Sequence, residues 1–268
     1  MLRQLREESG HTLKTAGRQL ERSPSSLSLI ENGVQWLRLR DLGHILDQYN
    51  ASLDVRAAMM TLGEQDRQPA WWDAYKDLVT PEALDYASVE HSAAHIMVTE
   101  TTYIPGLLQT EGYANALHQR QVPENPPERI ERWVAFRLER QQRLQGSNPP
   151  QLDVVLDEAA LRRMRGGRHI MRSQLRRLLN ETEKEYLHLH VLPLAVDPGT
   201  AYGGQFDLLE IGTPAILSIV LTDHLTGRWI LEGDKEVAQY RDKFEEVRSS
   251  ALCEDASRAA IDRIISEL

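Results

Sequence analysis

The side chains best suited to binding a polar surface are concentrated near one short segment, SPSSLSLIENG at residues 23–33. A serine hydroxyl can donate and accept a hydrogen bond, and an asparagine amide carries separate donor and acceptor groups. Basic residues on either side of the segment could add contacts with anions, so the expected chemistry is the binding of an anionic surface. The candidate contact residues are Lys14, Ser23, Ser25, Ser26, Ser28, Asn32, Arg38 and Arg40.

The segment 23–33 is predicted to form the second helix of a closely joined pair. Ser23 and Pro24 indicate a helix start, because a capping hydroxyl precedes a proline whose missing N–H costs nothing at the first helical position. The preceding helix, capped by Thr12, ends at Leu20, so only two residues separate the helices. Such a corner is typical of a helix-turn-helix. The positions predicted to face the core are Leu13, Ala16, Gly17, Leu20, Leu27, Ile30, Leu42, Ile45 and Leu46.

The second helix of a helix-turn-helix lies in the major groove of duplex DNA. Arg or Lys on guanine and Asn or Gln on adenine distinguish bases there, each pair contributing about 1–3 kcal/mol. The outward positions here carry serines, Leu29 and Asn32, and serine positions a protein on DNA more than it selects a sequence. Two interpretations stay open. Either the domain binds DNA, with backbone contacts from the helix start, Lys14, Arg38 and Arg40, or its fold serves only dimerisation or partner contact.

The sequence TLKTAGRQLERSPSSLSLIENG resembles the helix-turn-helix of the lambda-repressor-like (XRE) transcriptional regulators. The resemblance implies that Glu31 pairs with an arginine of the first helix, for which Arg6 is the candidate. Related regulators tend to carry lysine or arginine at the positions of Ser26 and Leu29, where this chain has neither. They usually have glycine at the position of Glu21, and a non-glycine residue in the left-handed region costs on the order of 1 kcal/mol.

Length and composition predict an ordinary soluble protein of two domains. The chain has 268 residues, 41% of them hydrophobic and 26% charged, which exceeds one typical domain and suffices for a core. The longest apolar stretch, Ala215–Leu221, is far shorter than a membrane span, and the single Cys253 excludes an internal disulfide and a cysteine-based zinc cluster. We expect a cytoplasmic protein with no membrane contact.

The net charge of −9 is unevenly distributed along the chain. Residues 1–60 carry eight basic and seven acidic side chains, a net +1, so the remainder carries −10. DNA contact is therefore expected only from the N-terminal domain, where the field is weak. Because a single weakly charged domain would bind poorly, we expect a homodimer on a pseudo-palindromic operator of double-stranded DNA, with half-sites about one helical turn apart.

The predicted organisation is an all-α helix-turn-helix domain at residues 1–60, a linker at 61–70 and an α+β domain at 71–268. The polar stretch GEQDRQP breaks the helical pattern and marks the linker. A helical region follows as far as Leu144, and a small sheet comes later. Strands are predicted at 152–157, 187–194, 204–211 and 215–221, and further helices at 158–164, 168–186 and 234–267.

The second domain is similar to the C-terminal domain that follows a helix-turn-helix in many actinobacterial regulators, often described as antitoxin-like. The similarity lies in IPGLLQTEGYANAL, VAFRLERQQRL, VVLDEAALRR and HLTGRWILEGDKEVAQYRDKFEEVRSSAL. It implies a dimeric DNA-binding regulator encoded beside a small partner protein that this domain binds. The alternative is an antitoxin-like protein whose main act is to sequester that partner, with DNA binding weak or lost.

The segment TYIPGLLQTEGYANAL contains the candidate ligand-binding residues of the second domain. Pro105 and Gly106 indicate a turn, and Thr110 is predicted to cap the helix that follows. Either the segment is a fixed corner that packs its apolar side chains and Tyr113, or Gln109 and Tyr113 line a pocket for a small effector or a partner.

The remaining polar motifs do not assemble into a recognisable active or metal site. His91 and His95 are spaced to share a helical face, and His188 and His190 a strand face, but neither pair has an evident third ligand. Asp157 is predicted to cap the helix that follows it. Since no nucleophile, base and orienting group occur together, we expect neither enzymatic activity nor a cofactor or metal.

Overall fold

The computed structural model describes residues 1–33, 35, 37–65, 70–121, 124–196, 204–213, 215–224 and 227–268. These residues form two compact units. The first contains Met1–Trp71 and Gly212–Leu217, and the second contains Trp72–Ile211 and Ser218–Leu268. The second half of the predicted linker, residues 66–69, lies outside the described residues. No helix in the ranges described is both long and apolar enough to cross a membrane.

The first unit is a bundle of short helices. A buried cluster of Ala16, Leu20, Leu27, Ile45 and Tyr49 forms its core, and most of the positions predicted to face inward are buried, as expected. The last helix continues to Gln65, five residues into the predicted linker. The helices are α1 (Leu2–Glu8), α2 (Leu13–Gln19), α3 (Pro24–Glu31), α4 (Leu39–Gln48) and α5 (Leu53–Gln65).

The corner between α2 and α3 has the predicted caps and one strained residue. The Ser23 hydroxyl accepts from the backbone N–H of Ser26 at 3.1 Å, which confirms the predicted start of α3. Glu21 has φ +52°, so a side-chain-bearing residue occupies the left-handed position of the turn. Gly17 lets the corner close, because a Cβ there would lie 2.7 Å from the carbonyl oxygen of Arg22. The sequence thus folds locally into a tight helix-turn-helix.

The second unit contains a mixed six-stranded sheet with helices around it, in the order β3-β2-β1-β4-β5-β6. The strands β1, β2 and β3 are parallel, β4 is antiparallel to β1, and β6 is antiparallel to β5. The strands are β1 (His95–Glu100), β2 (Gln151–Asp157), β3 (Leu187–Leu192), β4 (Phe206–Ile211), β5 (Leu217–His224) and β6 (Gly227–Leu231). The helices are α6 (Pro81–Ser92), α7 (Glu111–Gln121), α8 (Pro127–Gln141), α9 (Glu158–Arg162), α10 (Arg168–Glu181), α11 (Asp234–Ser250) and α12 (Glu254–Glu267).

Alternating residues of the central strands face opposite sides of the sheet. Met97, Phe206 and Leu208 pack on one side with Phe244 and Val247 of α11. Ile96, Val98 and Asp207 face the other side, as the pairing of Ile96 with Leu209 and of Val98 with Asp207 requires. The sheet therefore separates an apolar layer, packed against α11, from a second and more polar layer on its other side.

Several predicted elements of the second unit are wrong in detail. The chain is not helical throughout to Leu144, because β1 occupies residues 95–100 and α6 ends at Ser92. His91 and His95 therefore do not share a helical face. The predicted helix at 234–267 is two helices, α11 and α12, with a break at residues 251–253. The strand β6 was also missed, whereas β2, β3, β4 and β5 lie within a few residues of their predicted positions.

Candidate functional site

The exposed face of α3 carries few groups that can read bases. Ser25 and Asn32 are exposed, Ser26 and Ser28 are half-buried, and Leu29 is 44% exposed. The Ser26 hydroxyl donates to Oε1 of Gln35 at 3.0 Å, and the Asn32 amide donates to the Ser28 hydroxyl at 3.3 Å. Much of the hydrogen-bonding capacity of the helix is thus used within the domain, and Leu29 presents an apolar patch at its centre.

Gln35 is a contact candidate that sequence reasoning missed. It lies just beyond α3, is exposed, and its amide is oriented by Ser26 at 3.0 Å. A glutamine amide can make the paired contacts with adenine that the serines cannot make. Its position after the helix-ending Asn32 and Gly33 placed it outside the predicted helix. Its backbone N–H also donates to the carbonyl of Leu29 at 3.1 Å, so two hydrogen bonds connect Gln35 with α3.

The basic residues of the first unit fall into an exposed group and an ion-paired group, and the exposed group includes Arg3 and Arg18 besides the predicted contact residues. Lys14 and Arg38 are exposed, and the Arg40 side chain is 88% exposed with its Nε 3.6 Å from Asp41. Arg22, by contrast, is bound to Asp41 at 2.8 Å. The three predicted cations therefore remain accessible for phosphate contacts, while Arg6, Arg22 and Arg56 are held in ion pairs.

A buried ion pair holds α3 in place. Arg6 donates from Nε and Nη2 to the two carboxylate oxygens of Glu31 at 2.8 and 3.0 Å, and the side chains are only 6% and 1% exposed. Its Nη1 also donates to the carbonyl of His11, and Tyr49 donates to Glu31. The hydrogen bond to Glu31 raises the pKa of Arg6, and burial raises that of Tyr49 to about 12. The pairing implied by the family resemblance is confirmed.

The predicted ligand residues of the second unit lie at a tightly bonded corner. Tyr113 is fully buried, and its hydroxyl accepts from the backbone N–H of Ile104 at 3.3 Å. Gln109 is 1% exposed; its amide donates to the carbonyl of Ile104 at 2.6 Å and accepts from Arg137 at 2.8 Å. Thr110 caps α7 as predicted, accepting from the N–H of Tyr113. Gln109 lines a cavity, whereas Tyr113 packs in the core beside it.

This cavity has a volume of about 180 Å³ and lies on the side of the sheet away from α11. Its walls combine the sheet residues Ile96 and Val98 with charged groups from the surrounding elements. Arg140 donates to both oxygens of Glu90 at 2.8 and 2.7 Å, and its guanidinium lies 4.8 Å from the ring centre of Tyr86. The charged residues of the wall are Glu90, Glu100, Arg137, Arg140, Asp207 and Asp223.

Two side chains in the cavity have strongly shifted pKa values. Burial raises the pKa of Glu100 to about 8, with a further contribution from the charge of Asp207. Burial, followed by the charge of Arg140, lowers the pKa of Arg137 to about 10. Shifted groups in a cleft are frequent at binding and catalytic sites. The cavity is therefore the second candidate site of the chain.

The histidines singled out in the sequence each have a structural partner. The ring of His95 lies between Asp153 at 2.5 Å and Glu210 at 3.0 Å, and these hydrogen bonds raise its pKa to about 9. His188 faces Glu254, and His190 bonds to a backbone carbonyl. Within the described ranges, no group of three or more His, Cys, Asp or Glu side chains could hold a metal ion.

Asp157 behaves as the sequence predicted. Its carboxylate accepts from the backbone N–H of Ala159 at 2.7 Å and caps α9. The cavity holds Glu90 and Glu100 without a histidine among its described wall residues, so the arrangement of carboxylate and imidazole that would favour acid–base chemistry is not formed there.

Comparison with protein families gives two matches that divide the chain between them. Residues 1–59 match a helix-turn-helix domain. Residues 83–263 match a domain of unknown function (DUF5753). Neither the curated proteins nor the solved structures gave a match.

The two-domain fold, all-α followed by α+β, agrees with the two family matches. The helix-turn-helix match supports DNA binding and transcription regulation as the general function. With more than half of its length in the second match, the chain belongs to the DUF5753 family and begins with a helix-turn-helix domain.

Proposed function

We propose that the protein is a transcriptional regulator of the XRE type that binds an operator in double-stranded DNA as a homodimer. The observation that carries the proposal is the fixed corner of α2 and α3, in which α3 keeps an exposed face while Arg6 and Glu31 lock its inner side. This is the arrangement that presents a helix to the major groove. The domain thus retains both the docking helix and the bond that sets its angle.

Phosphate contacts supply most of the affinity in this proposal. Lys14, Arg38 and Arg40 are the exposed cations that would neutralise phosphates, and the N–H groups at the start of α3 add a further anion contact. Base reading is left to a few groups, chiefly Ser25, Asn32 and Gln35. Ser23, Ser26 and Ser28 orient the helix through their hydrogen bonds and contact the backbone.

A dimer is required because each unit offers so few contacts. The three predicted phosphate contacts of one unit give only weak, non-specific binding, whereas two linked units multiply their effective affinity. The acidic remainder of the chain, with a net −10, repels DNA and restricts contact to the first unit.

The test is binding of the full chain to a fluorescent duplex from its own promoter. Lys14→Ala, Arg38→Ala and Arg40→Ala should each weaken binding several-fold, since each removes one phosphate contact. Lys184→Ala removes the same charge from an exposed position of the second unit and should leave binding unchanged. Equal losses for all four variants, or no binding by the parent chain, would overturn the proposal.

The C-terminal domain acts in this proposal as a binding module for a small partner protein or effector, and not as an enzyme. A specific feature also favours the second candidate function, an antitoxin-like protein that sequesters its partner. Among the described residues β6 pairs only with β5, and it exposes 62% of Trp229 and 45% of Ile230. An edge strand with exposed apolar side chains can accept a strand from another protein.

Size-exclusion chromatography with the small protein encoded nearby tests the partner site. The complex should form with the parent chain and weaken at least tenfold with Trp229→Ser. Leu194→Ser is the matched control, because Leu194 is about equally exposed at 60% but follows β3, at the opposite edge of the sheet. A stable complex combined with no DNA binding would favour sequestration as the main function. An unaffected complex in Trp229→Ser would exclude β6 as the partner site.

A further inference from the structure

We propose that the cavity of the second unit binds a small zwitterion that carries an ammonium and a carboxylate group, such as a small α-amino acid. The inference adds an effector class to the proposed regulator. It rests on that function for its meaning in the cell, although the binding itself can be measured without DNA.

One end of the cavity has an excess of positive charge. Nη1 of Arg137 and Nη2 of Arg140 both lie beside Gly106, where a Cβ would be 3.7 and 3.4 Å from them. Glu90 pairs with Arg140 through both of its oxygens. The side-chain hydrogen bond of Arg137 goes to the neutral amide of Gln109, at 2.8 Å. Within the described part of the chain, no carboxylate lies at salt-bridge distance from Arg137, so its guanidinium can receive a ligand carboxylate.

The other end is lined by carboxyl groups. Glu100 stands at the carboxyl end of β1, with Asp207 of β4 and Asp223 of β5 also in the wall. The Tyr86 hydroxyl donates to Asp207 at 2.9 Å. The buried Oε2 atom of Glu100, however, has no hydrogen-bond partner among the described atoms. A buried acceptor without a partner is costly, and an ammonium group would supply the missing donor.

The two ends together select the ligand class. A simple anion such as phosphate would satisfy Arg137 but would face three carboxyl groups. A simple amine would satisfy Glu100 but would face the guanidinium of Arg137. A molecule with both charges pairs with Arg137 and with Glu100 at the same time. Neither of these buried groups is then left without a partner of opposite charge. The mostly polar wall also disfavours an apolar ligand.

The size of the cavity limits the ligand further. A volume of about 180 Å³ has room for several water-sized groups. It is smaller than the roughly 300–1,000 Å³ of sites for drug-sized molecules. A small amino acid has the corresponding number of non-hydrogen atoms.

Ligand binding at this site should change the protonation state of Glu100, which can be measured. Glu100 has a pKa of about 8 in the empty cavity, raised by burial and by Asp207 and Asp223, while the N–H groups of Thr102 and Tyr103 act in the opposite direction. At pH 7 it is therefore largely protonated. An ammonium group beside it favours the carboxylate, so binding should release up to one proton.

Isothermal titration calorimetry of the full chain without DNA tests the proposal. The probes are glycine, alanine, serine, β-alanine and γ-aminobutyrate, with propylamine and propionate as single-charge controls. At least one zwitterion should bind with one site per chain and a Kd below roughly 1 mM. Its binding heat should differ between phosphate and Tris buffers at pH 7, because a proton is released. The amine and the acid alone should bind at least tenfold more weakly.

Two cavity variants and a matched surface variant complete the test. Glu100→Gln imitates the protonated acid, so it should fold normally and weaken binding at least tenfold while abolishing proton release. Arg137→Gln should weaken it similarly, and Arg137→Lys should restore part of the affinity. Glu131→Gln, on the exposed face of α8, should bind as the parent does. Failure of every zwitterion to bind, or equal binding of propylamine or propionate, would overturn the proposal and leave DNA binding by the first unit unaffected.

Discussion

Arg6 and Glu31 join the first and third helices of the N-terminal unit through two hydrogen bonds of 2.8 and 3.0 Å that are almost closed to solvent. The pair fixes the end of α3 opposite its Ser23 cap. Because both charges are buried, loss of either partner leaves the other without compensation. The orientation of the exposed α3 face therefore depends on a bond made on its inner side.

Replacing Arg6 should destabilise the first unit strongly. We predict that Arg6→Met lowers the free energy of unfolding by about 3–5 kcal/mol, because Glu31 would remain buried and unpaired. Urea denaturation followed by circular dichroism measures the change. Arg56→Met is the control: its partner Asp47 lies at the same 2.8 Å but the pair is exposed, so the loss should stay below about 1 kcal/mol. Similar losses for both variants would show that the buried pair has no special role.

The left-handed conformation of Glu21 predicts a stabilising substitution. With φ at +52°, a glycine should relieve strain, and Glu21→Gly should stabilise the unit by about 0.5–1 kcal/mol after its entropy cost. Glu21→Ala removes the same side chain but keeps the Cβ, and it should not stabilise. Thermal unfolding distinguishes the two variants. If alanine stabilised as much as glycine, the backbone strain would not be the cause.

The short-range features were accessible from the sequence, and the long-range ones were not. The caps at Thr12, Ser23 and Asp157 depend on neighbouring residues, and all three are present. The strand β1 was missed because Ile96–Thr99 are buried on both faces at the centre of the sheet, which removes the alternation that marks a strand. Periodicity alone cannot separate such a run from a buried helix.

The two candidate sites also differ in how far they could be predicted from the sequence. Contact positions on α3 follow from helical spacing, whereas the cavity unites residues from seven helices and strands that lie up to 137 positions apart, from Tyr86 to Asp223. Gln109 was identified from its local motif, but its partner Arg137 could not be. The hydrogen bond between Ser26 and Gln35 crosses the end of α3, so no helical pattern indicated it.

His95 should make the stability of the second unit fall at alkaline pH. Hydrogen bonds with Asp153, and then with Glu210, raise its folded pKa to about 9, above the unfolded value near 6.5. The stabilisation is complete below pH 6.5 and is lost as pH rises towards 9. The difference in unfolding free energy between the parent and His95→Gln should therefore shrink by up to about 3 kcal/mol over this range. A constant difference would exclude a charged His95.

His188→Gln serves as the control for this measurement. His188 also faces a carboxylate, Glu254 at 3.0 Å, but its side chain is 42% exposed against 29% for His95. We expect its substitution to change stability by less than about 1 kcal/mol at any pH between 6 and 9. A pH dependence as large as that of His95 would show that exposure does not matter for these pairs.

Leu29 offers a way to strengthen DNA binding. It occupies the centre of the exposed α3 face, and Leu29→Lys should add one cation per unit against the DNA backbone. We predict tighter binding at low salt and a salt dependence steeper by about 0.9 for each unit. Leu53→Lys introduces the same charge at an 84% exposed position of α5 and should have little effect. Equal gains would point to a general charge effect and not to α3.

The salt dependence of binding to an own-promoter duplex, measured with the full parent chain, tests DNA recognition by α3 most directly. Phosphate contacts from Lys14, Arg38 and Arg40 on two units should give a slope of log K against log salt of about −5, or an affinity loss on the order of 10³ between 50 and 200 mM. A slope near zero, or no binding at the lowest salt, would contradict the proposal.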